Sequence, residues 1–244
     1  MGKYSRQNTS KKKKLDTDDI FAYEKSIFEN RDRDFSYIIG SDETGRGSIA
    51  GPVVTASCST TRTKAANDGG FGGGSGNLIK DSKQLSPIDR ERIYELIVNN
   101  PEQIIFTVAQ RSNTEIDNTN NIVTSTMECF QESIEELTKN KLFPYILSCY
   151  SIVDGKKAPK LTTIPSFPCR PMVKADEQVI TVALASIIAK VTLDHMALEE
   201  WHSTYPEYDF QQNLGYATRE HIEAIHRYGP CPLHRMTFKS LKGR

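Results

Sequence analysis

Hydrophobic positions frame this chain. Tyr37, Ile38 and Ile39 make a short apolar run that predicts a buried strand running up to the adjacent carboxylates Asp42 and Glu43. Val53 to Ser59 predicts a second strand after the Gly51-Pro52 break, and Ile104 to Ala109 alternates in the β manner. Between them Ser86, Pro87 and Asp89 fit an N-cap, a first helical position and a capping-box spacing, so a helix is expected to run to about Val98. Ile116, Ile122, Val123, Met127, Phe130, Ile134 and Leu137 recur with helical spacing and are core residues first. Tyr145 to Val153 predicts a strand ending in Asp154-Gly155. Val179 to Val191 is apolar nearly all round, its first charge being Lys190, and such a helix must be buried against a sheet. Helices near Leu193 to Ser203 and Arg219 to Tyr228 follow, separated by an aromatic loop with Tyr205, Tyr208, Phe210 and Gly215-Tyr216.

Composition narrows the class. The 244 residues allow one large domain with appendages, and the formal charge of zero argues against bulk electrostatic coating of nucleic acid. No apolar run reaches the ~20 residues that cross a bilayer, so an intracellular, cytoplasmic protein without a membrane partner is expected. The five cysteines are widely spaced with no C-x-x-C pair, which indicates neither a disulfide framework nor a zinc site. Residues 1–34 lack periodicity, carry Lys11 to Lys14, and read as a flexible charged arm. The Gly-rich stretch at 62–77 reads as a disordered insertion; no Gly-Lys-Ser/Thr follows it to make a phosphate loop. After Glu223 there is no acidic residue, while Arg227, Arg235, Lys239, Lys242 and Arg244 remain, either a phosphate-facing end or an ordinary solvated tail.

Candidate chemistry gathers at element ends. Asp42 and Glu43 at a strand end suit a hard divalent cation, and Gly45 and Gly47 around Arg46 leave the main chain open to a ligand; a solvated surface turn explains them equally well. Ser82 and Lys83 are placed to grip a phosphate or to line a solvated loop. Asp154 in Asp-Gly also fits a hairpin turn, and Asp176 an N-cap of the long helix.

The motifs also occur in a fixed order: Asp42-Glu43-Thr44-Gly45-Arg46-Gly47 with Ala50-Gly51-Pro52-Val53; Asp81 to Ser86; Val153-Asp154-Gly155; Val173-Lys174-Ala175-Asp176; Ala185 to Val191; Gly215-Tyr216-Ala217-Thr218; and Tyr228-Gly229-Pro230 through His234-Arg235 and Phe238. From about Ile38 to Phe238, without the Gly-rich insertion, the chain resembles bacterial-type ribonuclease HII, a type 2 ribonuclease H. The resemblance implies an RNase H-like α/β core with a mixed five-stranded sheet flanked by helices, over residues 35–195, and a C-terminal helical substrate-binding extension over 196–244. It assigns Asp42, Glu43, Asp154 and Asp176 as catalytic ligands of Mg2+ or Mn2+ for phosphodiester hydrolysis. Gly45, Arg46 and Gly47 are assigned to the ribose 2′-hydroxyl and Tyr216 to the following deoxyribose. Lys190, Ser82 and Lys83 are candidate phosphate contacts. The implied substrate is an RNA-DNA hybrid or a ribonucleotide embedded in duplex DNA, cut on its 5′ side to leave 3′-hydroxyl and 5′-phosphate ends. A monomer is the default, and no protein partner is deducible.

Alternation along a strand raises one geometric objection: Asp42 and Glu43 point to opposite faces unless the strand bends or Glu43 acts through its carbonyl. Thr44, Ala175 and Glu177-Gln178 depart from the family pattern, which puts rate in doubt more than reaction type. An RNase HIII-like hybrid nuclease is disfavoured by Thr44-Gly45-Arg46-Gly47 and the short arm. A catalytically weak nucleic-acid-binding module on the same fold gains nothing from clustered acids, and an unrelated metal-dependent phosphatase has no use for Gly-Arg-Gly with Tyr216.

Overall fold

A computed structural model describes Glu24 and residues 37–60, 85–141 and 149–241. The Gly-rich stretch, Ser82, Lys83 and all of the N-terminal arm except Glu24 lie outside the described residues. Five strands, β1 (Tyr37–Thr44), β2 (Val53–Thr60), β3 (Ile104–Arg111), β4 (Cys149–Asp154) and β5 (Cys169–Met172), form one mixed sheet in the order β3-β2-β1-β4-β5. β2 is antiparallel to β1 and β3, while β1, β4 and β5 are mutually parallel.

The helices are α1 (Pro87–Val98), α2 (Asn113–Thr119), α3 (Ile122–Leu137), α4 (Ile180–His195), α5 (Phe210–Asn213) and α6 (Arg219–Tyr228). Ser86 caps α1 as expected, its hydroxyl accepting the Asp89 N–H at 3.2 Å. The apolar spacing from Ile116 to Leu137 is split between two helices, because Asn120 takes a left-handed φ of 48° and Asn121 caps the next helix. β5 carries no sequence signal: it is an edge strand containing Pro171, a residue that cannot donate to a ladder.

Helices cover both faces of the sheet. α4 lies against the face bearing Ile38, Gly40, Ala56 and Cys58, and fits only because Gly40 has no side chain; a Cβ there would stand 2.2 Å from Val182 N. α3 lies on the other face, where Ser57 Oγ bonds both Ser41 Oγ and Ser133 Oγ at 2.8 Å and so satisfies hydroxyls that burial would otherwise penalise. Val182, Leu184, Ile187 and Ile188 are at most 1 % exposed, each worth roughly 1.5–3 kcal/mol of burial.

Past His195 this helix does not stop. It continues through a π-helical segment, Met196–Trp201, to Thr204. By length and composition Ile180–Thr204 passes for a membrane span, against the expectation from sequence, but 67 % of its most apolar window is buried in the fold, as in a core helix. The N-cap of α4 is Val179 with no side-chain cap, so the N-cap reading of Asp176 fails. Glu24 supplies the missing acceptor: its Oε1 takes the Thr181 N–H at 2.9 Å and the Thr181 hydroxyl at 2.7 Å. The cysteines are free, and burial raises the thiols of Cys58, Cys129, Cys149, Cys169 and Cys231, in keeping with packing.

Candidate active site and nucleic-acid interface

Strand direction decides where the acids go. β1, β4 and β5 share one direction, so their C-terminal ends fall on one edge, where α/β sheets hold ligands. Asp42 and Glu43 lie in the last three residues of β1. The register pairing Ser41 with Val153 makes Asp42 and Asp154 the next residues on adjacent strands. Asp154 ends a strand flanked on both sides by parallel neighbours, so its hairpin-turn reading fails. Asp176 lies in the turn Ala175–Glu177 just beyond β5, and Asp154 Oδ1 holds that turn by accepting the Ala175 N–H at 2.8 Å.

The alternation objection is real but local. Asp42 follows Gly40 on the α4 side, and Glu43 follows Ser41 on the α3 side. At the strand's end the two sides communicate. A cleft of about 440 Å³ brings Asp42, Glu43 and Asp154 together with Gly45–Gly47, Lys190 and Tyr216. A second cavity of about 440 Å³ adjoins it; Glu43, Arg46 and Asp154 line both, and Asp176 lines only the second.

Asp42 reports the proximity of all four acids. It is 6 % exposed, and burial pushes its carboxyl well above the usual range, with the charges of Glu43, Asp154 and Asp176 pushing the same way. The Glu43 N–H, donated to Asp42 Oδ1 at 2.8 Å, offsets part of this. Among the described residues no three His, Cys, Asp or Glu side chains close on a common point as an ion requires. Each acid is held by its own partner: Asp42 by the Glu43 amide, Asp154 by the Ala175 amide, and Glu43 Oε1 by Arg46 at 2.9 Å. The donors are carboxylate oxygens, which suit a hard divalent ion, and a cation among them would offset both the burial and the repulsion that raise Asp42.

The Gly-Arg-Gly loop is held open by conformation and packing. Gly45 takes φ +81°, and a Cβ there would stand 2.7 Å from Pro52 O; around Gly47 nothing lies within 4 Å of the same position. Tyr216 is 37 % exposed at the rim. Lys190 reaches the cleft from α4, paired with Asp194 one turn on.

A sequence profile of the Ribonuclease HII family matches residues 39–241. Ribonuclease HII of Chlamydia pneumoniae is 36 % identical over 223 residues, which span 91 % of each chain. The chain belongs to the ribonuclease HII family. It is therefore a type 2 ribonuclease H, a hydrolytic endonuclease acting on nucleic acid with a divalent metal. RNase HII from Archaeoglobus fulgidus, solved as a PCNA complex, matches 83 % of this chain and 95 % of its own at TM-score 0.63 and 25 % identity. Bst-RNase HIII, solved with Mn2+, shares the fold at TM-score 0.63 and 21 % identity, over 86 % of this chain and 68 % of its own.

In this ribonuclease the sequence misassigned one residue that shapes the site. Arg235 neither faces phosphate nor lies in a solvated tail. It is fully buried, donating from Nε to Gly51 O at 2.8 Å and from Nη2 to Pro52 O at 2.7 Å, with a longer contact from Nη1 to Arg46 O at 3.4 Å. Its guanidinium packs over Phe238, and burial pulls its pKa down to about 10. Arg90 and Ser186 also line the cleft, and Lys156, Lys157 and Lys174 the adjoining cavity. Lys174 puts a cation near Asp176 even though Glu177-Gln178 follows; it is paired to Glu177 at 2.7 Å. No spacing rule marks these residues, because the topology alone brings them to one edge.

Proposed function

We propose that Asp42, Glu43, Asp154 and Asp176 hold Mg2+ or Mn2+ and that the enzyme cuts on the 5′ side of a ribonucleotide, in an RNA-DNA hybrid or embedded in duplex DNA, leaving 3′-hydroxyl and 5′-phosphate ends. The observation that carries this reading is the cleft at the C-terminal strand edge, where the buried Asp42 meets Glu43 and Asp154 beside an open Gly-Arg-Gly loop, its carboxyl raised by burial and then by the charges of the other three acids. Bound there, a divalent ion supplies activation of water and stabilisation of the leaving oxygen. The chain's own residues do the rest. The main chain of Gly45, Arg46 and Gly47 meets the ribose 2′-hydroxyl, sterically open at Gly47. Tyr216 lies against the following deoxyribose, and Lys190 takes a phosphate, joined by Ser82 and Lys83 from the segment outside the described residues. The segment after residue 196 acts as the substrate-binding extension. Every group used comes from one chain, so the reading requires no second copy.

The test is incubation of the purified protein with a labelled duplex carrying one embedded ribonucleotide, with and without EDTA. Cleavage 5′ to the ribose that EDTA stops is the expected result; cleavage that survives complete chelation, or a cut on the 3′ side, overturns the reading.

A further inference from the structure

Two buried histidines stand behind Tyr216. His221 is 0 % and His234 1 % exposed, and their Nε2 atoms lie 3.1 Å apart. The Cys231 N–H points at His234 Nδ1 at 2.9 Å, which makes that nitrogen an acceptor and puts the proton on Nε2. His234 Nε2–H then donates to His221 Nε2, and His221 keeps its proton on Nδ1, 2.8 Å from the Tyr216 carbonyl. The opposite tautomer of His234 would aim Nδ1–H at Cys231 O at 3.2 Å and would set it against the Cys231 N–H, which points at the same nitrogen at 2.9 Å. One arrangement of protons therefore satisfies the chain from Cys231 through both rings to Tyr216. Both rings are held neutral by burial, His234 with a pKa down to about 4.

The same strap reaches the ribose loop. His234 bridges to Ala50, the Arg235 N–H donates to Ile49 O at 2.8 Å, and the Arg235 side chain holds the loop carbonyls. On the other side Gly215, just before Tyr216, accepts the N–H groups of Ile49 and Ala50 at 2.8 and 3.2 Å. A Cβ on Gly215 would stand 2.7 Å from Ala50 O, so this contact leaves no slack. The loop and the tyrosine are thus built on one frame, in which the Tyr216 carbonyl accepts both the Thr218 N–H and the His221 Nδ1–H at 2.8 Å, the second tying it to the imidazole pair.

We propose that His221 and His234 are positioning residues that set the spacing between Tyr216 and the Gly45–Gly47 loop, and so set how well the enzyme tells a single embedded ribonucleotide from a continuous hybrid. The proposal rests on the Tyr216 reading above. Neither imidazole touches substrate; both act through the Tyr216 backbone.

The experiment is single-turnover cleavage of both substrates by wild type, Tyr216→Ala, His221→Ala, His221→Asn and the double variant Tyr216→Ala/His221→Ala. The ratio of the two rates is read, because a fall in folded fraction cancels from it. His221→Ala is expected to lower the single-ribonucleotide rate about two- to tenfold more than the hybrid rate, the span of one neutral hydrogen bond. His221→Asn, which keeps an N–H near the Nδ1 position, is expected to restore most of that ratio. The double variant is expected to match Tyr216→Ala. Equal losses on both substrates in His221→Ala, or ratios that multiply in the double variant, overturn the proposal while leaving the Tyr216 reading intact. Equal losses on both substrates in Tyr216→Ala overturn that reading and this inference with it.

Discussion

At the scale of single residues, the site is a problem in like charge. Asp42 is the deeper of the two acids on β1, and burial, with the charges of Glu43, Asp154 and Asp176 added to it, raises its pKa. Asp42→Asn removes that repulsion and, in the proposed reading, one ligand. Changing only the outer-shell partners of metal ligands costs about 10–100-fold, so losing a ligand is expected to slow cleavage by more than about 100-fold. Without metal, the variant is expected to melt no lower than wild type. A rate within about tenfold of wild type would remove Asp42 from the site. Arg235 presents the opposite case, a buried cation made tolerable by carbonyls. Lys cannot reproduce its fork, so Arg235→Lys is expected to lose roughly 2–3 kcal/mol in urea unfolding. Full stability there would mean the carbonyls find other donors. The acids were legible from sequence as residue types at element ends. Arg235 was not, because a basic residue in an acid-free tail reads alike whether its carbonyl partners are near in sequence or, as with Gly51, 184 residues away.

At the scale of elements, the loop between β1 and β2 is fixed from behind and left open in front. Gly51 has φ +78°, and a Cβ there would stand 2.1 Å from the Trp201 ring, whereas a Cβ on Gly47 meets nothing within 4 Å. Gly51→Ala therefore combines overpacking with a left-handed backbone and is expected to cost roughly 2–4 kcal/mol. Trp201 is the sole tryptophan, so its fluorescence reports the displacement directly. Gly47→Ala is expected to melt like wild type yet cleave poorly, the methyl standing where, in the proposed reading, the ribose approaches. A Gly47→Ala enzyme of full activity would move the 2′-hydroxyl contact elsewhere. Helix α1 and strands β1 to β3 could be read from the chain because their signals are local: a capping serine, alternation, a Pro at the first helical turn. β5 could not be read, since a short edge strand with Pro171 owes its existence to β4. The faces of Asp42 and Glu43 could be read as opposite, but not that the two adjoining cavities meet at Glu43 and Asp154.

At the scale of the whole molecule, two buried groups outside the proposed ligand set act on stability in opposite senses. Glu24 has its pKa raised to about 7 from 4.5, chiefly by burial, and His234 has its pKa lowered to about 4 from 6.5, also by burial. Between about pH 4.5 and 7 the native state keeps the Glu24 proton that the unfolded chain has released, so this group's contribution to stability falls as pH rises. Between about pH 4 and 6.5 the unfolded chain binds the His234 proton that the native state refuses, so that contribution grows as pH rises. Each shift amounts to roughly 3 kcal/mol over its full window, and the two nearly cancel where the windows overlap, about pH 4.5 to 6.5. Glu24→Gln keeps the acceptor for Thr181 but cannot titrate, so it unmasks the histidine. Relative to wild type, its unfolding free energy is expected to gain about 1 kcal/mol between pH 5 and pH 6. Asp42 and His221 titrate in both proteins and drop out of the difference. Parallel stability curves for the two proteins across that range would mean that Glu24 is ionised in the native state.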